Sequence, residues 1–154
     1  MSGQLDETMY GPGTLDQNMR RRSIYFFIKR SQLIPILMLF DFPEPNVSVG
    51  GRVSTTIAPQ ALAVMNSPQV RNYARAFAER LKPEAAGGVP SAIKEAYRLA
   101  LSRKPDSTEL KDATRFISKQ TESYRTEGKS APEELALADF CQVLFGLNEF
   151  IYLE

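Results

Sequence analysis

The residues of this sequence best suited to chemistry form a candidate anion-binding segment, GGRVSTT, around Arg52. The Arg52 guanidinium and the hydroxyls of Ser54, Thr55 and Thr56 precede a predicted helix start. Because the N–H groups of a helix N-terminus favour negative charge, an acidic or sulfated polysaccharide is a candidate ligand. The competing interpretation is an ordinary helix cap, since the segment lacks the lysine of a phosphate-binding loop.

Two carboxylates, Asp41 and Glu44, lie close together in a proline-rich turn. Paired carboxylates can do acid–base work at a glycosidic bond, although this composition favours an exposed loop. The sequence contains no His and only one Cys, so it excludes Ser-His-Asp chemistry, His-ligated zinc or haem and an internal disulfide. Cys141 lies in an apolar stretch without a cationic neighbour and is predicted to be core. We therefore predict no catalytic residue, metal site or cofactor in this chain.

Composition indicates one globular domain of 154 residues, with 43% hydrophobic residues and a net charge of +1. The near-neutral charge argues against nucleic-acid binding, although Ala92 to Phe116 could form a helix-turn-helix with several basic residues. No 18-residue apolar run is present, so we predict no membrane span. The first 18 residues are polar and loop-like, without the basic and apolar regions of a signal peptide.

The segment Arg20 to Arg30 carries five basic and no acidic residues. Its apolar residues alternate, with Ile24, Phe26 and Ile28 on one side and aromatic residues between them, which predicts a strand buried on both faces. The arginines that precede this strand are expected to anchor buried or partner carboxylates, with polyanion binding as the alternative. These arginines are Arg20, Arg21 and Arg22.

The rest of the chain is predicted to be helical. A short helix starts near Gln32 with Pro35 in its first turn, and another follows a Thr56 cap. Three longer helices are predicted from Ser67-Pro68 to Pro83, from Pro90 to Ser102 and, behind an Asp106/Glu109 capping box, to Tyr124.

A last predicted helix begins at Pro132 and is apolar nearly all round, as expected of the central helix. Asp139 and Asn148 are polar residues on this helix, and buried polar groups need partners. We predict structural roles for both, with Asp139 paired to Arg52 or to one of Arg20, Arg21 and Arg22.

Several blocks together resemble a known family. They are SGQLDETMYGPGT, RRRSIYFFIKRSQLIPILMLFDFPEPN, RVSTTIAPQALAVMNSP, EAYRLALSRKPDSTEL and LALADFCQVLFGLNEFIYLE. In this order they resemble the C-terminal part of the planctomycete-type domain of unknown function 1553, a PSD1-like domain that accompanies cytochrome c-like modules in exported proteins. The resemblance covers essentially the whole chain. One departure is Val49, where family members often carry Cys after Asn-x-Ser.

The resemblance implies that residues 1–154 are the C-terminal part of a larger family domain and that haem c belongs to neighbouring modules. We predict a mainly α domain of five to six helices with one or two short N-terminal strands. Its predicted function is a non-catalytic structural or interaction module of an exported, cytochrome c-associated multidomain protein, located in the periplasm or cell envelope. Its partners would be other domains of that protein. The alternative is part of a polysaccharide-binding or hydrolytic domain whose other site residues lie upstream.

Overall fold

The computed structural model describes residues 5–8, 11–16, 19–29, 31, 34–40, 42 and 58–151. Within these ranges the chain forms a 3₁₀ turn, Ser23–Tyr25, and seven α-helices. The helices are α1 Pro35–Leu39, α2 Ala58–Asn66, α3 Pro68–Ala85, α4 Val89–Leu101, α5 Ser107–Thr126, α6 Pro132–Phe145 and α7 Asn148–Ile151. The predicted mainly α fold is confirmed, and α7 is one helix more than predicted. None of the described helices combines the length and apolar character needed to cross a bilayer.

The chain divides into two compact units, with the boundary inside α2. The N-terminal unit is Gln4–Ala63, and the C-terminal unit contains Val64–Glu154. In the N-terminal unit, α1 and the start of α2 are joined by Gln60, whose buried amide Nε2 donates to the Leu39 carbonyl at 2.9 Å. The assignment of residues 1–154 to one domain stays a prediction.

Helix α6 is the centre of the C-terminal unit, as its apolar sequence predicts. It contacts α3, α4, α5 and α7. Half of its residues are buried, and the ring of Phe145 stacks on Phe77 of α3 with centroids 5.7 Å apart. A helix with apolar residues on most sides is stable only when other helices surround it, which is the arrangement observed.

The starts of α3 and α5 follow the caps read from the sequence. The Ser67 hydroxyl accepts a hydrogen bond from the Val70 amide at 3.3 Å. At α5, the Asp106 carboxylate accepts from the Glu109 amide at 2.8 Å, and the Glu109 carboxylate accepts from the Asp106 amide at 2.8 Å. Both capping predictions are therefore confirmed.

The ends of α3 and α5 depend on different residues. Helix α3 was expected to end at Pro83 but continues to Ala85, so Pro83 lies in its last turn. Helix α5 ends in a Schellman motif: the Gly128 amide donates to Arg125 O and the Lys129 amide donates to Tyr124 O, both at 3.0 Å. Gly128 has a φ of 68°, a conformation that glycine adopts without steric cost.

The predicted buried strand at Arg21 to Arg30 is wrong for the described residues 21–29. Residues 23–25 form the 3₁₀ turn. An isolated parallel β-bridge pairs Phe26 with Thr14. Ile24 is 82% exposed, and Phe27 and Ile28 are also largely exposed. Alternation of apolar residues reports which side chains share a face, but it does not report whether another element covers that face.

Candidate interaction surface

Arg21 holds the 3₁₀ turn against the preceding loop. Its Nε and one terminal nitrogen donate to the Thr8 carbonyl at 3.3 and 3.1 Å, and its other terminal nitrogen donates to Pro12 O at 3.4 Å. The guanidinium carbon also lies 3.6 Å from the centroid of the Tyr25 ring. A planar cation with several donors can make these contacts together, so Arg21 fixes the local backbone.

The bridge at Phe26 adds a second attachment between the same two segments. The Thr14 amide donates to Tyr25 O at 3.1 Å, and the Phe27 amide donates to Thr14 O at 2.8 Å. Gly13 allows this close approach, because a Cβ at its position would lie 3.3 Å from the Phe27 Cβ. The turn is therefore a defined local structure with its backbone bonded on one side.

The segment from Arg20 to Lys29 carries exposed apolar and basic side chains. The exposed fractions are 82% for Ile24, 50% for Phe27 and 44% for Ile28. Arg20, Arg22 and Lys29 are exposed beside them, and the Lys29 ammonium lies 5.7 Å from the centroid of the Phe27 ring. We call these six residues the basic–apolar face. Three exposed large apolar side chains within five residues exceed the isolated ones that are normal at a surface, and they favour a contact site for another molecule.

The candidate anion-binding residues Arg52, Ser54, Thr55 and Thr56 lie outside the described residues, as do Asp41 and Glu44. Anion binding at Arg52 stays a prediction.

Asp139 lies in a polar network inside the C-terminal unit, but with a partner that we did not predict. Its carboxylate lies 2.5 Å from an Arg71 guanidinium nitrogen of α3 and accepts a hydrogen bond from the Tyr124 hydroxyl of α5 at 2.8 Å. The predicted partner Arg52 lies outside the described residues, and a pairing of Asp139 with Arg20, Arg21 or Arg22 stays a prediction. The side chains of Arg71 and Asp139 are only 23% and 18% exposed, so the pair is largely withdrawn from water.

Gln142, one turn after Asp139, extends this network to the end of α2. Its Oε1 accepts from Arg71 at 3.1 Å, and its Nε2 donates to Met65 O at 2.7 Å. Four helices are thus connected through polar side chains. The hydrogen bond to Asp139 is the main cause of a raised pKa for Tyr124, with burial second. Asn148, by contrast, is exposed at the start of α7, so its predicted place on a buried helix is wrong.

Arg103, a basic residue within the range Ala92 to Phe116 that could form a helix-turn-helix, makes its contacts within the protein. Its guanidinium donates to both oxygens of Glu109 at 2.7 and 2.8 Å and to both oxygens of Glu149 at 2.7 and 2.8 Å. The hydrogen bond from Arg103 lowers the pKa of Glu109 to about 2. These two bidentate contacts connect the start of α5 to α7 and favour a structural role for this cation over phosphate binding.

A groove of about 130 Å³ lies between α3 and α6. Lys82 crosses its rim, 2.8 Å from Glu79 and 2.9 Å from Glu134, and these carboxylates raise the pKa of the lysine. Sites for drug-sized ligands are usually about 300–1,000 Å³, so this groove is small for such a ligand.

Cys141 is fully buried in α6, as predicted, and burial raises the pKa of its thiol to about 12. A thiol with such a pKa is a poor nucleophile at neutral pH. Among the residues that the structure describes, no three His, Cys, Asp or Glu side chains are grouped so that they could hold a metal ion.

A family model described as PSD1, a protein of unknown function (DUF1553), matches residues 1–117. The chain therefore belongs to the PSD1 family. The matched range contains the basic–apolar face, the candidate anion-binding segment and the chain through the middle of α5. No curated protein and no solved structure matches the chain.

The match is shorter than the resemblance described from the sequence, which extended through the block LALADFCQVLFGLNEFIYLE at residues 135–154. Asp139 and Gln142 lie beyond the matched range, whereas Arg71 lies within it. The planctomycete type and the cytochrome c association of this PSD1 chain stay predictions.

Proposed function

We propose that this PSD1 chain is a non-catalytic structural and interaction module of an exported, cytochrome c-associated multidomain protein. The observation that carries the interaction role is the basic–apolar face, where Ile24, Phe27 and Ile28 are exposed in a segment whose backbone is bonded to Thr14. Such a preformed apolar surface suits contact with another part of the same protein. Its partners would accordingly be other domains of the parent protein.

The structural role is supported by the use of charged groups within the C-terminal unit. Arg71 and Arg103, two cations of this unit, each bond carboxylates of the chain. Their contacts connect α3 to α6 and α5 to α7, so these side chains position helices. This arrangement favours a module that holds its own shape over a site in which cations converge on a ligand.

The cytochrome context is proposed from the resemblance of the sequence blocks to a family whose members accompany cytochrome c-like modules. Haem c would belong to those neighbouring modules, because this chain has a single Cys and no His for attachment or axial ligation. The proposed location is the periplasm or cell envelope.

Cell fractionation with an antibody raised against this chain tests the proposal. We expect the recognised protein in the envelope or periplasmic fraction, carrying or co-purifying with covalently bound haem that is visible in a pyridine haemochrome spectrum. The purified 154-residue chain is the control and should show no such spectrum. A recognised protein that is cytoplasmic and is isolated without haem would contradict the proposal.

A further inference from the structure

We infer that the basic–apolar face binds an acidic polypeptide segment that also carries apolar side chains. The inference rests on the proposed function for the origin of this segment in the parent protein. Its chemistry is argued from the face itself, which combines three exposed apolar side chains with three exposed cations, Arg20, Arg22 and Lys29.

The charge of this face points to an acidic partner. Arg20 to Arg30 contains no Asp or Glu, and Lys29 is close enough to Phe27 for a carboxylate at the ammonium to lie beside the ring. The nearby Arg21 is used locally, by Thr8 O, Pro12 O and Tyr25. The carboxylate of Asp6 interacts electrostatically with Arg21 and offsets part of the arginine's charge. Arg20, Arg22 and Lys29 are therefore the cations that a partner meets, and a complementary surface carries carboxylates.

The apolar side chains favour a polypeptide over a polysaccharide. A sulfated polysaccharide would pair with the cations but would give Ile24 and Ile28 little apolar surface to pack against. A polypeptide segment offers both apolar side chains and carboxylates at residue spacing. The bonded backbone at Thr14 and Phe26 presents the face in one conformation, which lowers the entropy cost of docking.

Photo-crosslinking in cells that produce the whole parent protein tests this inference. Phe27 is replaced by the photoreactive residue p-benzoylphenylalanine, and the crosslinked peptide is identified by mass spectrometry. We expect a peptide with an excess of Asp and Glu that also contains Leu, Ile, Val or Phe. The same replacement at Val143, an apolar residue of equal exposure on α6, is the control and should not crosslink to that peptide.

Charge variants test whether the three cations contribute to binding of the acidic segment. Adding Arg20→Gln, Arg22→Gln and Lys29→Gln should lower the crosslinking yield by about tenfold, because three exposed ion pairs of modest strength are lost together. The matched control exchanges three exposed lysines of the C-terminal unit and should leave the yield unchanged. These substitutions are Lys94→Gln, Lys111→Gln and Lys119→Gln.

The outcomes separate this inference from the proposed function. An acidic, apolar peptide from a different protein would support the inference and contradict the proposed partner. A neutral or basic peptide from the parent protein would support the proposed partner and contradict the inference. An adduct with lipid or polysaccharide, or no adduct at all, would overturn the inference.

Discussion

At the scale of residues, ionisable groups of the C-terminal unit stabilise the structure by bonding to one another. Arg71, Asp139 and Tyr124 come from three different helices, and Arg103 bonds two carboxylates at once. A charge that is partly withdrawn from water is costly when its partner is removed, because its own desolvation remains. This cost gives each pair a measurable effect on stability.

Asp139→Ala should lower the free energy of unfolding by about 2 kcal/mol, because Arg71 keeps its partly buried charge and loses the carboxylate. Urea unfolding of the purified chain measures this loss. Asp112→Ala is the matched control, because its carboxylate is 62% exposed and lies 3.7 Å from Arg115. The control should change stability by no more than about 0.5 kcal/mol. Equal effects of the two substitutions would contradict the assigned role of Asp139.

Glu109 predicts a pH dependence of stability. Its pKa falls from an ordinary 4.5 to about 2 in the folded chain, chiefly through Arg103. A lowered folded-state pKa stabilises the fold above the ordinary pKa, and this contribution is lost as the pH falls toward 2. The free energy of unfolding should therefore decrease less steeply below pH 4.5 in Glu109→Gln than in the original chain. A slope in Glu109→Gln equal to that of the original chain would contradict the assigned contact with Arg103.

The ion-pair partners of the charged residues were the part of the site that the sequence predicted least well. Asp139 was recognised as a polar residue on a buried helix, but its partner Arg71 lies 68 positions earlier on α3, and no local sequence pattern links the two residues. A long arginine side chain can bury its stem and reach a carboxylate at the edge of a core. The helical period predicts which face of a helix is buried, but it does not predict which distant residue a long side chain contacts.

At the scale of elements, α6 determines the organisation of the C-terminal unit. Its apolar sequence predicted the central position, and its contacts with four other helices agree. The caps at Ser67 and Asp106 were also predictable, because a cap depends on residues within one turn of the helix start. The turn at Ser23–Tyr25 could not be predicted in this way, because its shape depends on Arg21 and on a bridge to Thr14.

Two neighbouring residues of α6 should differ sharply on truncation. Leu144 is 1% exposed, and Leu144→Ala should cost about 2–5 kcal/mol through lost burial and a residual cavity. Val143 is half exposed, and Val143→Ala should cost no more than about 0.5 kcal/mol. Urea unfolding of both variants compares them in the same helix. A similar loss for both would contradict the orientation of α6.

At the scale of the whole molecule, the exposed residues of the basic–apolar face support the proposed contact with a parent protein. The sequence pointed to the family and to the basic character of the Arg20 segment. The prediction that this segment is buried was wrong, because Ile24, Phe27 and Ile28 are as apolar as core residues but are exposed. Whether such side chains are covered depends on elements distant in sequence and on partners.

Hydroxyl-radical footprinting of the Phe27 side chain, in the purified chain and in the intact parent protein, tests this account most directly. Buried Phe77 is the reference for protection, and half-exposed Val143 is the reference for access. We predict rapid oxidation of Phe27 in the purified chain and protection in the parent protein. Oxidation of Phe27 at the same rate in both would contradict the proposed contact.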